Sequence, residues 1–194
     1  MKIKGISLLL LICGFNSFGQ EKDASYYLDD GNISNSHHIV KGTITALVHG
    51  QFDIRYEYLI DDKFSIELGG GFKLPYYIPY VGQKKDFLDT DEIEQDATGN
   101  HFSIMPKYYC VHKSPENIYI GFQYRNQKLF QEGFDIKAED YTFYVGAQYM
   151  TKYRFLIDFS MGTGIMSYSY LNSHNKETEQ WPIVPLEFKI GYRF

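Results

Sequence analysis

Three sets of residues in this chain of 194 have types and spacings that could do chemistry. His101-Phe102-Ser103 places an imidazole and a hydroxyl two residues apart. On a strand that is one face, where a base can activate a nucleophilic oxygen. The same pair reads more simply as two polar residues at the end of a strand. Asp86, Asp89, Asp91, Glu92, Glu94 and Asp96 crowd carboxylates that could hold Ca²⁺ or Mg²⁺. That run lacks the glycine of an EF-hand loop, so a solvated acidic loop is the first reading. His37-His38 has no cysteine or third histidine near it in sequence, and no metal or other cofactor is expected. The third set is the largest. Asp53, Glu57, Glu67, Asp158 and Glu187 stand with Arg55, Lys73, Lys107, Arg125, Lys189 and Arg193 at alternate positions of otherwise apolar segments. Near balance of sign suits a narrow, desolvated space in which each ion needs an opposite partner.

The elements that carry these charges are strands. Phe52, Ile54, Tyr56, Tyr58 and Ile60 alternate with Gln51, Asp53, Arg55 and Glu57; after Asp61-Asp62-Lys63, Phe64, Ile66, Leu68 and Phe72 alternate with Ser65, Glu67, Gly69, Gly71 and Lys73. Period-2 alternation of this kind recurs to the last residue and predicts strands at 40–48, 52–60, 64–74, 101–112, 118–128, 141–150, 154–167 and 183–194. Short connections at 61–63, 113–117 and 151–153 are interleaved with long polar ones at 75–100, 129–140 and 168–182. An all-β, eight-stranded antiparallel up-and-down transmembrane barrel has this rhythm, with tight turns at one end and longer loops at the other. Such a barrel is just wide enough for its side chains to fill, so the charged face is expected to line the lumen and the apolar face to meet lipid. A soluble sandwich would place the same faces the other way round.

Composition agrees. Aromatics make up 18% of the chain, with 18 Tyr and 15 Phe against one Trp, too many for a disordered segment. A net charge of −5 gives no basic excess for nucleic acid. Lys2 and Lys4, the apolar stretch Ile6 to Phe15, and small Ser17 and Gly19 predict a signal peptide at 1–19. A periplasmic segment at 20–38 and a barrel at 39–194 then follow. Removal of the leader leaves Cys110 as the one cysteine, so no intramolecular disulfide is available.

From about residue 39 onward the chain resembles small eight-stranded outer-membrane barrels of the OmpA/OmpX-like class. The likeness rests on the hairpin QFDIRYEYLIDDKFSIELGGGF at 51–72, and on the terminal strand, where Phe188, Ile190, Tyr192 and Phe194 lead to a C-terminal aromatic. The resemblance implies a bacterial outer-membrane location, with outer-membrane lipid and lipopolysaccharide as surroundings. It also implies that the last strand is an assembly signal read by the barrel-assembly machinery through strand addition. It does not imply an activity, because the class includes structural proteins, adhesins, small pores and enzymes. Outer-membrane lipid A deacylases use a His-x-Ser pair, but the Asn that follows it there is missing here. The expected function is therefore non-enzymatic, a structural or surface-interaction role through the external loops, with an external ligand left open. A narrow pore and a lipid A-modifying enzyme are the alternatives.

Three expectations are local. Residues 40–60 keep one face parity and so form either one long strand or a hairpin about His49-Gly50-Gln51, with Ile44, Ala46 and Val48 toward lipid and Thr43, Thr45 and His49 inward. Pro106 falls within the fourth strand and calls for a bulge there. Tyr76, Tyr77, Tyr80 and Trp181 flank strand ends and are expected in an aromatic girdle.

Overall fold

The computed structural model describes residues 37–48, 50–74, 98–113, 116–131, 134–170 and 178–194. The strands are β1 (His38–Thr43), β2 (Gln51–Leu59), β3 (Phe64–Lys73), β4 (Thr98–Lys113), β5 (Glu116–Gln131), β6 (Phe134–Met150), β7 (Phe155–Tyr170), β8 (Thr178–Ile183) and β9 (Leu186–Arg193). One short helix, α1 (Ile44–Val48), joins β1 to β2. Each strand from β1 to β7 pairs antiparallel with the next, and β9 closes the circle by pairing with both β1 and β7. β8 and β9 hold one register against β7, so they are a single stave interrupted at Val184-Pro185. The result is a closed barrel of eight staves.

Burial decides which face is inside. Along β2, Asp53, Arg55 and Glu57 are enclosed while Phe52, Ile54, Tyr56 and Tyr58 are exposed. The same inversion holds on β3, where Ser65 and Glu67 are buried between exposed Phe64, Ile66 and Leu68. On β7, Asp158 and Ser160 are fully enclosed between exposed Ile157, Phe159 and Met161. A soluble sandwich encloses its apolar face; this barrel encloses its charged one. No helix among the described residues is long and apolar enough to cross a membrane.

The two ends differ. At the turn end, Asp61 Oδ1 accepts from Lys63 N at 2.7 Å and Phe64 N at 2.8 Å, an Asx turn that makes the β2–β3 connection tight. The β6–β7 connection is closed by Thr151 N to Phe155 O at 2.7 Å, with Arg154 in the left-handed region at φ 68°. Just inside this end, buried Ile39, Leu59, Tyr109, Tyr119 and Leu156 pack together.

Four local expectations are corrected. The first strand does not run from 40 to 48: the ladder ends at Thr43 and α1 follows, resolving residues 40–60 as a hairpin. Ile44, Leu47 and Val48 are exposed and Ala46 is buried, so the apolar residues sit at helical i, i+3 and i+4 spacing, and Ala46 faces inward rather than toward lipid. Thr45 Oγ1 accepts from Phe188 N at 3.2 Å, which docks the helix on β9. The loop expected at 129–140 is instead a continuation of the β5–β6 hairpin, paired as far as Gln131 and Phe134. Residues 168–170 and 178–182 likewise extend β7 and form β8. Polar side chains on the outward face give these extensions the look of loops. The bulge lies at Tyr109/Val111 rather than at Pro106; at Met105 and Pro106 the β4–β5 ladder skips two residues without shifting register. The leader at 1–19, the acidic run at 86–96 and Tyr76, Tyr77 and Tyr80 lie outside the described residues.

Candidate functional site: the charged lumen

Alternation delivers one inward side chain every second residue from each stave, and the charged ones meet at mid-height. Glu67 on β3 is central. Its carboxylate accepts from Lys41 Nζ at 2.9 Å, Arg55 Nη1 at 3.3 Å, Lys189 Nζ at 3.3 Å and, by a short contact, Lys107 Nζ. Arg55 spreads over four acceptors: Asp53 Oδ2 at 2.7 Å, Gln123 Oε1 at 2.7 Å, Glu187 Oε1 at 2.9 Å and Glu67. Lys41 also reaches Asp158 at 2.6 Å and Glu57, and Lys107 reaches Glu57 at 3.0 Å. Lys189 pairs with Glu187 at 2.8 Å. The side chains of Lys41, Lys107, Lys189, Glu57, Glu67 and Asp158 are all 0% exposed. Buried ions of this kind hold only with close pairing and additional hydrogen bonds.

Neutral groups complete the set. Tyr109 and Ser65 donate to Glu57, the latter at 2.5 Å, and Gln148 Nε2 donates to Glu57 at 3.2 Å and Asp158 at 3.0 Å. Tyr119 donates to Asp158 at 2.9 Å, its ring lying 4.5 Å from Lys107 Nζ. Tyr144 donates to Glu187 at 3.2 Å. Two glycines make room: a Cβ on Gly146 would run into the Tyr119 ring, and one on Gly69 would strike Ser103 Oγ and lie 3.1 Å from Arg55 Cδ.

Of the residues singled out from sequence, Asp53, Arg55, Glu57, Glu67, Lys107, Asp158, Glu187 and Lys189 converge in this network. Arg125 forms a second pair, with Asp140 at 2.6 Å, closer to the loop end. Lys73 is buried at the loop end of β3, and Arg193 is half-buried near the turn end of β9. Sequence reading missed Lys41 and Asp140. Lys41 has the parity of Thr43, which is expected inward, so its signal was present. Asp140 falls within the loop expected at 129–140 and carries no such signal.

His101 and Ser103 are both buried on the inward face. His101 Nε2 lies 2.9 Å from Asp53 Oδ1, whose other oxygen accepts from Thr43 at 2.6 Å and from Arg55. Ser103 is buried over Gly69 instead. Oxygens of Glu57, Glu67 and Asp158 lie within 4.8 Å of one another, a spacing that could suit a metal ion. The Lys41 ammonium contacts all three and holds the place a cation would take.

Outside, aromatic rings gather at two levels. Near the turn end His38 stacks on Phe194 with centroids 5.9 Å apart, beside Tyr56 and Tyr58; Phe64 meets Tyr108 at 5.1 Å, and Phe155 meets Tyr192 at 5.6 Å. Toward the loop end Phe52 meets Phe72 at 5.3 Å and Tyr124 meets Tyr141 at 5.2 Å. Trp181 does not join the outer rings, since it shares the inward parity of Glu187 on its stave. Ile190, Tyr192 and Phe194 are exposed on the outer surface at the β1–β9 junction, with half-buried Phe188 above them.

A closed eight-stranded antiparallel barrel with a charged interior and an apolar exterior is the class these features define. No family model matches the chain, and no curated protein matches it. Among solved structures, the chain is similar to a major outer membrane protein from Thermus thermophilus, at 13% identity and a TM-score of 0.37, over 81% of this chain and 98% of that one.

Proposed function

We propose that this protein is an outer-membrane β-barrel without enzymatic activity, its lumen sealed and its role carried by the hairpins and loops at the loop end. The observation that carries this reading is the inverted burial. Apolar and aromatic side chains cover the outside, while the Lys41–Arg55–Glu57–Glu67–Lys107–Asp158–Glu187–Lys189 network fills the inside. Backbone groups in hydrocarbon must be satisfied internally, which a closed barrel does. Its surroundings are then outer-membrane lipid and lipopolysaccharide, and the barrel-assembly machinery receives its terminal strand. Nucleic acid has no place in this reading.

The test has three arms. Heat-modifiable gel mobility and recovery in outer-membrane fractions are expected; a soluble, periplasmic protein would refute the location. Reconstitution in planar bilayers is expected to give no discrete conductance steps, and reproducible steps would favour a pore. Ser103→Ala is expected to leave lipid A species unchanged by mass spectrometry, and a lost species would favour an enzyme.

A further inference from the structure

The register of β4–β8 lays the outward side chains in rows, and the rows change chemistry toward the loop end. Ile104, Tyr124, Tyr141 and Ile165 stand side by side in one row. Two residues further along each strand the row reads Phe102, Asn126, Glu139, Ser167 and Gln180. Two further still it reads Asn100, Lys128, Lys137, Ser169 and Thr178. The first row is apolar and aromatic and marks where hydrocarbon gives way to headgroups. At roughly 3.4 Å per residue, the third lies about 14 Å further along the tilted strands, within reach of headgroup phosphates for a lysine side chain.

In that third row Lys128 and Lys137 are direct cross-strand partners. Like charges placed opposite one another on one face destabilise a sheet, with Cβ atoms about 5 Å apart. The two are not equivalently engaged. Lys137 donates to Glu139 Oε1 at 3.0 Å, but that oxygen also accepts from Tyr124 at 2.8 Å and Asn126 at 3.2 Å, so the carboxylate is shared. Those hydrogen bonds, Lys137's first and Tyr124's next, hold the Glu139 carboxyl below its ordinary range. Lys128 is exposed and makes no ion pair among the described residues. Asp135, two residues beyond Lys137 on the same face, is the other acid nearby. The Lys128 ammonium, without an ion pair among the described residues, stands beside the Lys137 ammonium, which has only a share of Glu139; flanked by the amide of Asn100 and the hydroxyls of Ser169 and Thr178, the two are complementary to a phosphate on a sugar.

We propose that this face of β4–β8 binds the phosphorylated sugar headgroup of an outer-leaflet glycolipid, with one phosphate bridging Lys128 and Lys137. The inference rests on the membrane-barrel reading and adds a site to it. Relief of the Lys128–Lys137 repulsion is the feature that makes the test specific. The full-length protein is folded in maltoside micelles, and its barrel state is checked by heat-modifiable mobility, which tests the barrel reading by itself. Bisphosphorylated lipid A is then titrated, with dephosphorylated lipid A and inorganic phosphate as separate arms, and bound lipid is read by native mass spectrometry. Binding is expected for the bisphosphorylated lipid only, weakened about tenfold or more in K128Q/K137Q.

Thermal unfolding of the gel-shifted band supplies the second readout. Without lipid the double variant is expected to unfold at the same or a higher temperature than the natural chain. With bisphosphorylated lipid A the order is expected to reverse. Equal lipid retention by the folded double variant would overturn the proposal. So would an equal stabilisation by inorganic phosphate, which would mean simple screening of the two lysines.

Discussion

Arg55→Met is the sharpest perturbation of the charged lumen. It keeps a long apolar stem and removes the guanidinium that binds Asp53, Gln123, Glu187 and Glu67 together. Glu67 would retain Lys41, Lys107 and Lys189, and Glu187 would retain Lys189 and Tyr144. Among the described residues Asp53 would retain Thr43 and His101 alone, and Gln123 Oε1 would lose its donor. Breaking a buried ion pair from one side costs about 3–5 kcal/mol. The direction of imbalance matters as well. The linked set holds the carboxylates of Asp53, Glu57, Glu67, Asp158 and Glu187 against Lys41, Arg55, Lys107 and Lys189, leaving the His101 imidazole aside. Loss of Arg55 widens that acidic excess, whereas Glu67→Gln removes it. Arg55→Met is therefore expected to cost more than Glu67→Gln, although Glu67 touches more charged groups. The assay is urea unfolding in phosphatidylcholine vesicles, followed by gel mobility and by the fluorescence of Trp181, the one tryptophan. Adding Asp53→Asn to Arg55→Met should recover part of the loss, because the orphaned charge goes with its partner. A cost for Arg55→Met below about 1 kcal/mol would refute the reasoning, since it would mean the lumen is wet enough to screen its charges.

Ile120→Arg puts a charge on the outward face of β5 and is expected to impair insertion, costing about 2–4 kcal/mol if it lies near the midplane; vesicle folding yield measures this. Gly146→Ala drives a methyl into the Tyr119 ring and is expected to cost about 1–3 kcal/mol by the same urea assay. Deletion of Phe194 removes the ring stacked on His38 and the N–H that donates to His38 O at 3.0 Å. It is expected to lower outer-membrane levels in cells more than it lowers the urea midpoint in vitro; unchanged cellular levels would count against an assembly role. Arg154→Gly relieves the left-handed backbone at φ 68° and is expected to stabilise by about 1 kcal/mol or less.

Much of this fold was legible because strand parity is a strict code. Once Phe52, Ile54 and Tyr56 are assigned to one face, Asp53, Arg55 and Glu57 must share the other, and the same argument places Glu67, Lys107, Asp158 and Lys189. What alternation leaves open is which face meets water, and the charge balance of the polar face answers that. Sequence reading fails where parity stops carrying information. Ile44, Ala46 and Val48 fit a strand as well as a helical turn, because five residues hold too few repeats to separate period 2 from period 3.6. Asp135, Lys137 and Glu139 have the look of a loop because toward the loop end the faces exchange chemistry: these outward residues are polar, while inward Leu129, Ile136 and Ala138 are apolar and buried. The neutral members of the site, Tyr109, Tyr119 and Gln148, carry inward parity, but only the closed geometry shows which carboxylate each one serves.

The seam between the first and last strands joins only Ile39–Thr43 to Lys189–Arg193, far less backbone than the β5–β6 hairpin across the barrel. The β1–β2 ladder on its other side is as short, His38–Gly42 against Ile54–Tyr58, so by hydrogen bonds alone β1 is where the cylinder would open. Yet the middle residue of that short strand is Lys41, whose ammonium is held by carboxylates from β2, β3 and β7 at once. Slippage of β1 by one residue would turn that ammonium out onto the apolar outer face. The closing strand thus behaves less like a zipper than like a bolt. Such a contact, made only when the circle shuts, would govern how slowly the barrel reopens more than how fast it forms.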